Sequence, residues 1–211
     1  MTARIIATAQ QKGGAGKTTL AAHIAVAIAE TGRSVMALDI DPQGSLARWG
    51  ALRRDRSPPP AMQVEVEAVS GHRAREAAER AARTYDYVIL DAPPHAETET
   101  RQAIRAAELV LAPLPPSPLD LWATQPVIDA AAAVGCPVTL VLNRTPPRAR
   151  IVDQVAEQAA ELGVTVAESR IGGRVAFAAA MAEGLTALET APRSVAAEEI
   201  RALVREVLGK I

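Results

Sequence analysis

Residues 12–19 read Lys-Gly-Gly-Ala-Gly-Lys-Thr-Thr, and these residue types at this spacing suit the binding of a polyphosphate. Glycines allow the tight turn that makes successive backbone N–H groups converge on phosphate oxygens. In this pattern Lys17 reaches the β- and γ-phosphates, and the Thr18 hydroxyl is a ligand of Mg²⁺. The predicted phosphate-contacting residues are Gly13, Gly14, Ala15, Gly16, Lys17, Thr18 and Thr19.

The surroundings of this loop match the strand–turn–helix context that a phosphate-binding loop needs. An apolar run, 5–9, precedes it, and an alanine-rich helical pattern, 20–30, follows it. A helix that begins near Lys17 adds the positive end of its dipole at the phosphate position. The ordinary Walker A pattern has glycine where this chain has Gln11, and it does not require Lys12. The loop is therefore a variant of that pattern.

Lysine usage singles out the same loop. The chain has 23 Lys+Arg residues, and only Lys12, Lys17 and Lys210 are lysines. A compact ammonium fits among phosphates better than a planar guanidinium does. The pairing of Lys12 and Lys17 in one loop therefore indicates function rather than chance.

Acidic residues end two of the predicted strands. Asp39-Ile-Asp-Pro-Gln-Gly44 closes one strand, and we assign Asp41 to orienting an attacking water and Asp39 to supporting the metal shell and the loop. The alternative is a polar turn without catalytic function. The run 87–91 delivers Asp91 to the sheet edge as a Walker B carboxylate. The predicted metal ligands are Thr18, Asp39 and Asp91.

Composition limits the class of protein. The 211 residues are 49% hydrophobic but only 2% aromatic, with a net charge of −1. This length predicts one domain, 1–211, and because the first predicted strand begins at residue 4 we expect no N-terminal helix-turn-helix. The net charge means that any polyanion contact must come from a local patch. The single Cys136 excludes a disulfide framework. No apolar run reaches 18 residues, which favours a cytoplasmic protein.

Short apolar runs alternate with alanine-rich helical patterns along the chain. Strands are predicted at 4–9, 34–39, 62–66, 87–91, 109–113, 138–143 and 164–167. Helices are predicted at 17–30, 45–53, 72–83, 97–107, 120–134, 150–162, 174–183 and 195–208. This alternation predicts an α/β fold with a mainly parallel, twisted sheet covered by helices on both faces. Together with the phosphate-binding loop, it predicts a single-domain P-loop NTPase. Ligands bind such sheets at the carboxyl ends of the strands.

The chain resembles the ParA/MinD family of deviant Walker A ATPases, and in particular small, ParF-like partition ATPases. The segments that carry the resemblance are 11–19, 39–44, 88–94 and 116–122, with Leu142-Asn-Arg-Thr145 and 198–201 in support. The resemblance implies a Mg²⁺-dependent ATP hydrolase that forms an ATP-sandwich homodimer, with polymerisation left open.

The resemblance also implies roles for individual residues. Lys12 is similar to the extra lysine of the family, which crosses to the phosphates of the partner subunit. Asn143 matches the adenine-contacting position, with Arg144 alongside it. The segment 116–122 resembles one that lies near the nucleotide and the dimer face, although Trp122 fits simple core packing equally well.

Some members of this family bind DNA without sequence specificity as ATP dimers. Arginines that suit such contacts cluster in the C-terminal third of this chain, and Arg170 and Arg174 beside the Gly172-Gly173 pair are favoured. The DNA-binding candidates are Arg144, Arg148, Arg150, Arg170, Arg174 and Arg193. The alternative is that they are ordinary solvated surface residues, because the region 144–210 holds nine basic and nine acidic residues and so has no net positive charge.

Three functions remain open within this resemblance. The first is a nucleoid-associated DNA segregation ATPase whose hydrolysis a ParB-type partner stimulates. The second is the positioning of protein clusters or organelles on the nucleoid through a cargo adaptor. The third is a MinD-like regulator that cycles on a membrane, which the apolar stripe of the last helix disfavours because that stripe lacks Phe or Trp and a Lys-rich polar face. A cluster-bearing reductase is excluded, since a single cysteine cannot hold such a cluster.

Overall fold

The computed structural model describes residues 3–56, 58–94 and 97–211. The strands are β1 (Arg4–Thr8), β2 (Val35–Asp39), β3 (Glu65–Ala68), β4 (Tyr87–Asp91), β5 (Leu109–Leu114), β6 (Val138–Leu142) and β7 (Thr165–Val166). The helices are α1 (Lys17–Glu30), α2 (Ser45–Arg56), α3 (Ala74–Ala81), α4 (Glu97–Ala106), α5 (Pro118–Trp122), α6 (Gln125–Ala132), α7 (Arg150–Glu161), α8 (Val175–Ala182), α9 (Ala187–Thr190) and α10 (Val195–Leu208).

All the strand pairs of the sheet are parallel, and the strand order is β3-β2-β4-β1-β5-β6-β7. Strand β4 lies between β2 and β1, with Asp91 opposite Asp39 on one side and opposite Thr8 on the other. The order of the strands reverses beside β1, which makes its carboxyl end the expected ligand position of such a sheet. The predicted fold class is confirmed.

Helices cover both faces of the sheet because successive strand side chains point to opposite sides. In β1, for example, Ile6 packs with α1 while Ile5 and Ala7 pack with α3, α4 and α6. Helix α1 is buried on nearly all sides. Its many alanines let it lie close to the sheet beneath α2, α8, α9 and α10. The first residue of this rigid central helix is Lys17.

Two predicted elements differ from the structure for identifiable reasons. The strand predicted at 62–66 begins instead at Glu65, because Met62 ends a 3₁₀ turn and its carbonyl accepts a hydrogen bond from the buried Arg53. The helix predicted at 120–134 is two helices, α5 and α6. Pro126 has no N–H to donate to the carbonyl four residues earlier, so the helix breaks ahead of it. Helix α9, which covers part of α1, was not predicted from the sequence.

The apolar stripe of α10 is occupied by the protein itself. Ile200, Leu203, Val204 and Val207 are buried in the same core as α1. Among the residues that the structure describes, no helix is long and apolar enough to cross a bilayer. The last helix is therefore part of the fold, as the sequence indicated.

Candidate functional site

An open cleft of about 610 Å³ lies at the carboxyl ends of the central strands. Its floor is the loop between β1 and α1. One wall comes from the segment after β2 and the first turns of α2, and the other comes from Arg144 and α8. The lining residues include Gly13, Gly14, Gly16, Lys17, Thr18, Thr19, Asp41, Ser45, Arg48 and Arg144. The fold thus brings most of the predicted nucleotide-binding residues to one place.

The phosphate loop has the backbone conformation that its glycines allow. Gly14 and Gly16 have φ angles of 75° and 97°, in the left-handed region that other residues rarely adopt. Gly16 precedes the first residue of α1, and its carbonyl accepts the N–H of Leu20 as the first helical hydrogen bond. The N–H groups of the first turn of α1 have no partner within a helix and face the cleft, as an anion site requires.

Asp91 is the buried centre of this site. It is 1% exposed, and its two carboxylate oxygens accept hydrogen bonds from the Thr18 hydroxyl at 2.6 Å and from the Thr8 hydroxyl at 3.2 Å. Burial raises the pKa of Asp91 to about 7, although the hydrogen bond from Thr18 and the charge of Lys17 act against this rise. A carboxylate held in this way is strongly stabilised by an additional cation.

Asp39 and Asp41 have different surroundings. Asp39 is buried, and its oxygens accept the backbone N–H groups of Asp41 at 3.1 Å and Ala47 at 2.8 Å, so it holds the turn and the start of α2. Burial raises the pKa of Asp39, and these two hydrogen bonds oppose the rise. Asp41 is half-buried and lines the cleft, where its carboxylate also accepts the N–H of Gln43. Only Asp41 is open to a ligand, and the metal role of Asp39 stays a prediction.

The residues present fit Mg²⁺ bound together with phosphate. Magnesium takes oxygen ligands, keeps several waters and is typically held by one or two protein groups plus phosphates. The Thr18 hydroxyl and the Asp91 carboxylate supply such oxygens beside the loop. Within the described residues no three His, Cys, Asp or Glu side chains converge as a metal cage. The ion would therefore complete its shell with phosphate oxygens and water.

The two lysines of the loop lie on different sides of it. Lys17 is 7% exposed and lines the cleft. Burial lowers its pKa, while the charges of Asp91 and Asp41 oppose this effect. Lys12 is half-exposed, is not among the cleft-lining residues and forms an ion pair with Asp120 of α5 at 2.8 Å. Lys12 is thus held away from the phosphate position of its own subunit.

Helix α5 presents two large apolar side chains beside this ion pair. Leu119 and Trp122 are each 66% exposed. The core-packing interpretation of Trp122 is therefore wrong, and the side chain is open for contact with another molecule.

Three supporting residues were not recognised in the sequence. Asp120 is the partner of Lys12. The side chain of Gln10 bonds to Thr124, to Pro113 and to the N–H of Gln11, which fixes the beginning of the loop. His23 supports the other end, as described below. A polar side chain directly after an apolar strand is a signal that could have identified Gln10. Asp120 and His23 meet their partners only through the fold.

His23 links α1 to α9 at the rear of the phosphate loop. Its Nε2 accepts the Ala187 N–H at 3.0 Å, so that nitrogen carries no proton, and its Nδ1 lies 2.8 Å from the Thr19 carbonyl, to which it donates. The ring also makes an edge-to-face contact with Phe177. Burial lowers the pKa of His23 to about 4.

The predicted arginines divide into three groups. Arg148, Arg150, Arg170 and Arg174 surround one cavity of about 370 Å³. Arg144 lines the nucleotide cleft instead, and Arg193 lies in neither place.

Ion pairs change the ranking of these arginines. Arg170 pairs with Asp153 at 2.8 Å, and Arg174 pairs with Glu199 through two nitrogens. In the part of the chain that the structure describes, Arg148 and Arg150 form no ion pair. The DNA-binding role of all six arginines stays a prediction, and Arg148 and Arg150 become the stronger candidates because the charges of Arg170 and Arg174 are matched within the protein.

Comparison with known proteins identifies the family. Residues 6–187 match the CobQ/CobB/MinD/ParA nucleotide binding domain. The chain belongs to this family. Maintenance of carboxysome distribution protein A of Halothiobacillus neapolitanus is 30% identical over 213 residues, which covers 96% of this chain and 95% of the relative. Chromosome-partitioning ATPase Soj of Thermus thermophilus is 32% identical over 247 residues, which covers 99% and 96% of the two chains.

Solved structures agree on the fold. Cell division ATPase MinD of Pyrococcus furiosus superposes with a TM-score of 0.80 at 22% identity, covering 99% of both chains. MinD of Pyrococcus horikoshii, solved with Mg-ADP, gives a TM-score of 0.79 at 21% identity, covering 97% of this chain and 96% of that one. This ParA/MinD-family chain is a P-loop ATPase that uses ATP and Mg²⁺. The roles of its individual residues stay predictions.

Lys17→Gln should weaken ATP binding by about tenfold or more, because the variant removes a buried ammonium from the phosphate position. Lys12→Gln should keep ATP binding but lose ATP-dependent dimerisation and turnover, since Lys12 lies outside the cleft of its own subunit. Nucleotide titration and sedimentation of both variants check this prediction. Normal dimerisation and hydrolysis by Lys12→Gln would refute the assignment of Lys12 to the partner's phosphates.

Asp41→Ala should bind Mg-ATP normally but hydrolyse it about 100-fold more slowly, because a group that positions the attacking water acts mainly in the transition state. Asp41→Asn is the matched control, since it can still accept the Gln43 N–H but lacks the charge. Both variants should be slow in a phosphate-release assay. Recovery of activity in Asp41→Asn would favour the interpretation as a polar turn.

His23→Gln should remove one component of the pH dependence of stability. The unfolded histidine takes up a proton near its ordinary pKa of 6.5 and the folded one only near 4. Stability from His23 is therefore lost as pH falls through this window, by about 1.4 kcal/mol per pH unit. Urea unfolding of wild type and variant at pH 7, 6 and 5 measures the free energy of unfolding of each. The difference between the two proteins is the quantity to compare, because the raised pKa of Asp91 changes the stability of both in the opposite direction over part of this range.

Proposed function

We propose that this chain positions a protein assembly along nucleoid DNA, using ATP-dependent dimerisation and hydrolysis. The observation that carries the proposal is the end-to-end similarity to Maintenance of carboxysome distribution protein A. A second relative of that name, from Gloeobacter kilaueensis, is 33% identical over 190 residues and covers 88% of this chain. Soj and ParA partition proteins are also relatives, so segregation of DNA is the second candidate.

The site geometry supports a cycle in which two subunits share the nucleotide. Lys17 and the N-terminus of α1 would bind the phosphates of one subunit, while Lys12 would leave Asp120 and reach the phosphates of the partner. A cation supplied in this way stabilises the charge that develops during phosphoryl transfer. Leu119 and Trp122 are exposed on α5, the helix whose Asp120 pairs with Lys12. These two side chains would be covered when the two subunits meet.

Hydrolysis would use residues of the same cleft. Mg²⁺, when bound by Thr18 and Asp91, neutralises phosphate charge. Asp41 would orient the attacking water, and Asp39 would keep the Asp41 turn in place through its two backbone hydrogen bonds. Release of the phosphate would free Lys12 to return to Asp120, which links hydrolysis to separation of the dimer.

DNA contact is assigned to the cavity between α7 and the segment that leads into α8. Arg148 and Arg150 carry charges that are not matched by ion pairs in the described part of the chain, and Arg170 and Arg174 stand on the opposite side. A dimer presents this surface twice, so a subunit with a net charge of −1 can still bind a polyanion. The membrane alternative has less support, because the apolar stripe of α10 is packed against α1.

Replacing Arg148 and Arg150 by alanine should weaken ATP-dependent binding to duplex DNA of any sequence. Each lost phosphate contact should reduce the slope of log affinity against log salt by roughly 0.9. The matched control replaces Arg73 and Arg75, which pair with Glu76 and Glu79 on α3. Salt titrations with ATP and with ADP check the result. Equal losses in both double variants, or equal binding with ADP and ATP, would contradict the assigned surface.

Deleting the gene in the source organism distinguishes the positioning function from the DNA segregation function. If the protein positions an assembly, the deletion should cause that assembly to cluster, while chromosome and plasmid inheritance stay normal. Loss of DNA from daughter cells, with assemblies still evenly spaced, would instead establish the segregation function.

A further inference from the structure

We infer that Asn143 is a positioning residue of the phosphate loop, and that its side chain sets ATP affinity through the triphosphate rather than through the adenine base. The inference deepens the nucleotide-binding half of the proposed function and is independent of DNA and cargo. It differs from the adenine-contacting role that the family resemblance implies for this position.

The main support for this role of Asn143 is one buried hydrogen bond. Asn143 follows the last residue of β6, and its Nδ2 donates to the carbonyl oxygen of Ala15 at 2.8 Å. Asn143 is 7% exposed and Ala15 is 1% exposed, so water cannot readily replace either partner. A buried carbonyl that loses its donor is destabilised, and the loop would have to rearrange to expose it.

This bond fixes the direction of the next N–H group. In a planar trans peptide the C=O and the following N–H point in opposite directions, and the described chain has no cis peptide bonds. Because the Ala15 carbonyl points at Asn143, the N–H of Gly16 points away from Asn143. Gly16 lines the cleft, where this N–H would be available to the phosphates. Without the bond, the same peptide unit could turn its negative carbonyl towards the phosphates.

The fit between Asn143 and the loop is close. A Cβ atom added to Gly16 would lie 2.5 Å from Asn143 Nδ2, which is too short for any contact between these atoms. Asn143 and the glycine at this position are therefore matched in size, and the left-handed φ of Gly16 adds a second requirement for glycine.

Two further hydrogen bonds fix the position of Asn143 at the end of the sheet. Its backbone N–H donates to the carbonyl of Leu114 at 2.9 Å, and its Oδ1 accepts the N–H of Arg144 at 2.9 Å. These bonds tie the side chain to the edge of β5 and to the left-handed turn at Arg144, whose φ is 56°. A single amide thus connects the rigid sheet edge to the loop, and only one of its N–H groups remains for any other contact.

The test compares ligands that share phosphates but differ in the base. Displacement of a fluorescent ADP analogue, in the presence of Mg²⁺ and without DNA, gives the affinities of ATP, GTP and inorganic tripolyphosphate. Asn143→Asp keeps the size and the Oδ1 acceptor but loses the donor. It should lower all three affinities by a similar factor of about tenfold or more. Asn143→Ala should do the same.

Thr145→Val is the matched control. Thr145 lies two residues further along and its hydroxyl donates to the Ile171 carbonyl, away from the phosphate loop. This variant should leave tripolyphosphate affinity unchanged. An equal loss in Thr145→Val would overturn the inference, because the effect would then be general. A loss confined to ATP would also overturn it, as would no loss for any ligand.

A second measurement reports on the loop directly. In ¹⁵N-labelled, nucleotide-free protein, Asn143→Asp should shift the amide resonance of Gly16, while Thr145→Val should not. An unchanged Gly16 resonance in Asn143→Asp would contradict the inference. If the wild-type protein bound none of the three ligands, the nucleotide site itself would be refuted, and that outcome differs from each result above.

Discussion

The hydrogen bond between the Thr18 hydroxyl and the Asp91 carboxylate joins the first turn of α1 to the end of β4, and the geometry of the site depends on it. Asp91 is almost completely buried, so its charge needs the hydroxyls of Thr18 and Thr8, the nearby Lys17 and a bound cation. This hydrogen bond holds the phosphate loop and the central strand in one fixed arrangement, beside which a metal ion would bind.

Contacts outside the phosphate loop also hold the margins of the site. Helix α2 is fixed at its beginning by Asp39 and at its end by Arg53. The Arg53 guanidinium is 2% exposed, pairs with Glu189 of α9 at 2.9 Å and lies 5.1 Å from the Trp49 ring. Breaking such a buried pair costs about 3–5 kcal/mol. Nucleotide-dependent movement is therefore expected in the short turn around Asp41 rather than in α2 as a whole.

The Lys12–Asp120 ion pair is easier to open than the buried pair of Arg53 and Glu189. Lys12 is half-exposed while Asp120 is nearly buried, so the lysine can leave but the carboxylate cannot easily be hydrated. Any partner that attracts Lys12 must therefore compensate for an acidic group left without its cation. In the proposed cycle, dimerisation would therefore depend on the strong negative charge of a bound triphosphate.

The sequence by itself determined the phosphate loop, the two acidic strand ends and the parallel α/β fold, because each depends on local patterns: glycine spacing, a carboxylate after an apolar run, and alternating strands and helices. Tertiary structure alone decided which partners these residues meet. Asn143 meets Ala15 across 128 positions of the chain and His23 meets Ala187 across 164, and Lys12 meets Asp120 over a similarly long separation. Such contacts arise from strand order rather than from local sequence. The same holds for the arginines, since only the fold brings Asp153 to Arg170 and Glu199 to Arg174 and so decides which positive charges remain available.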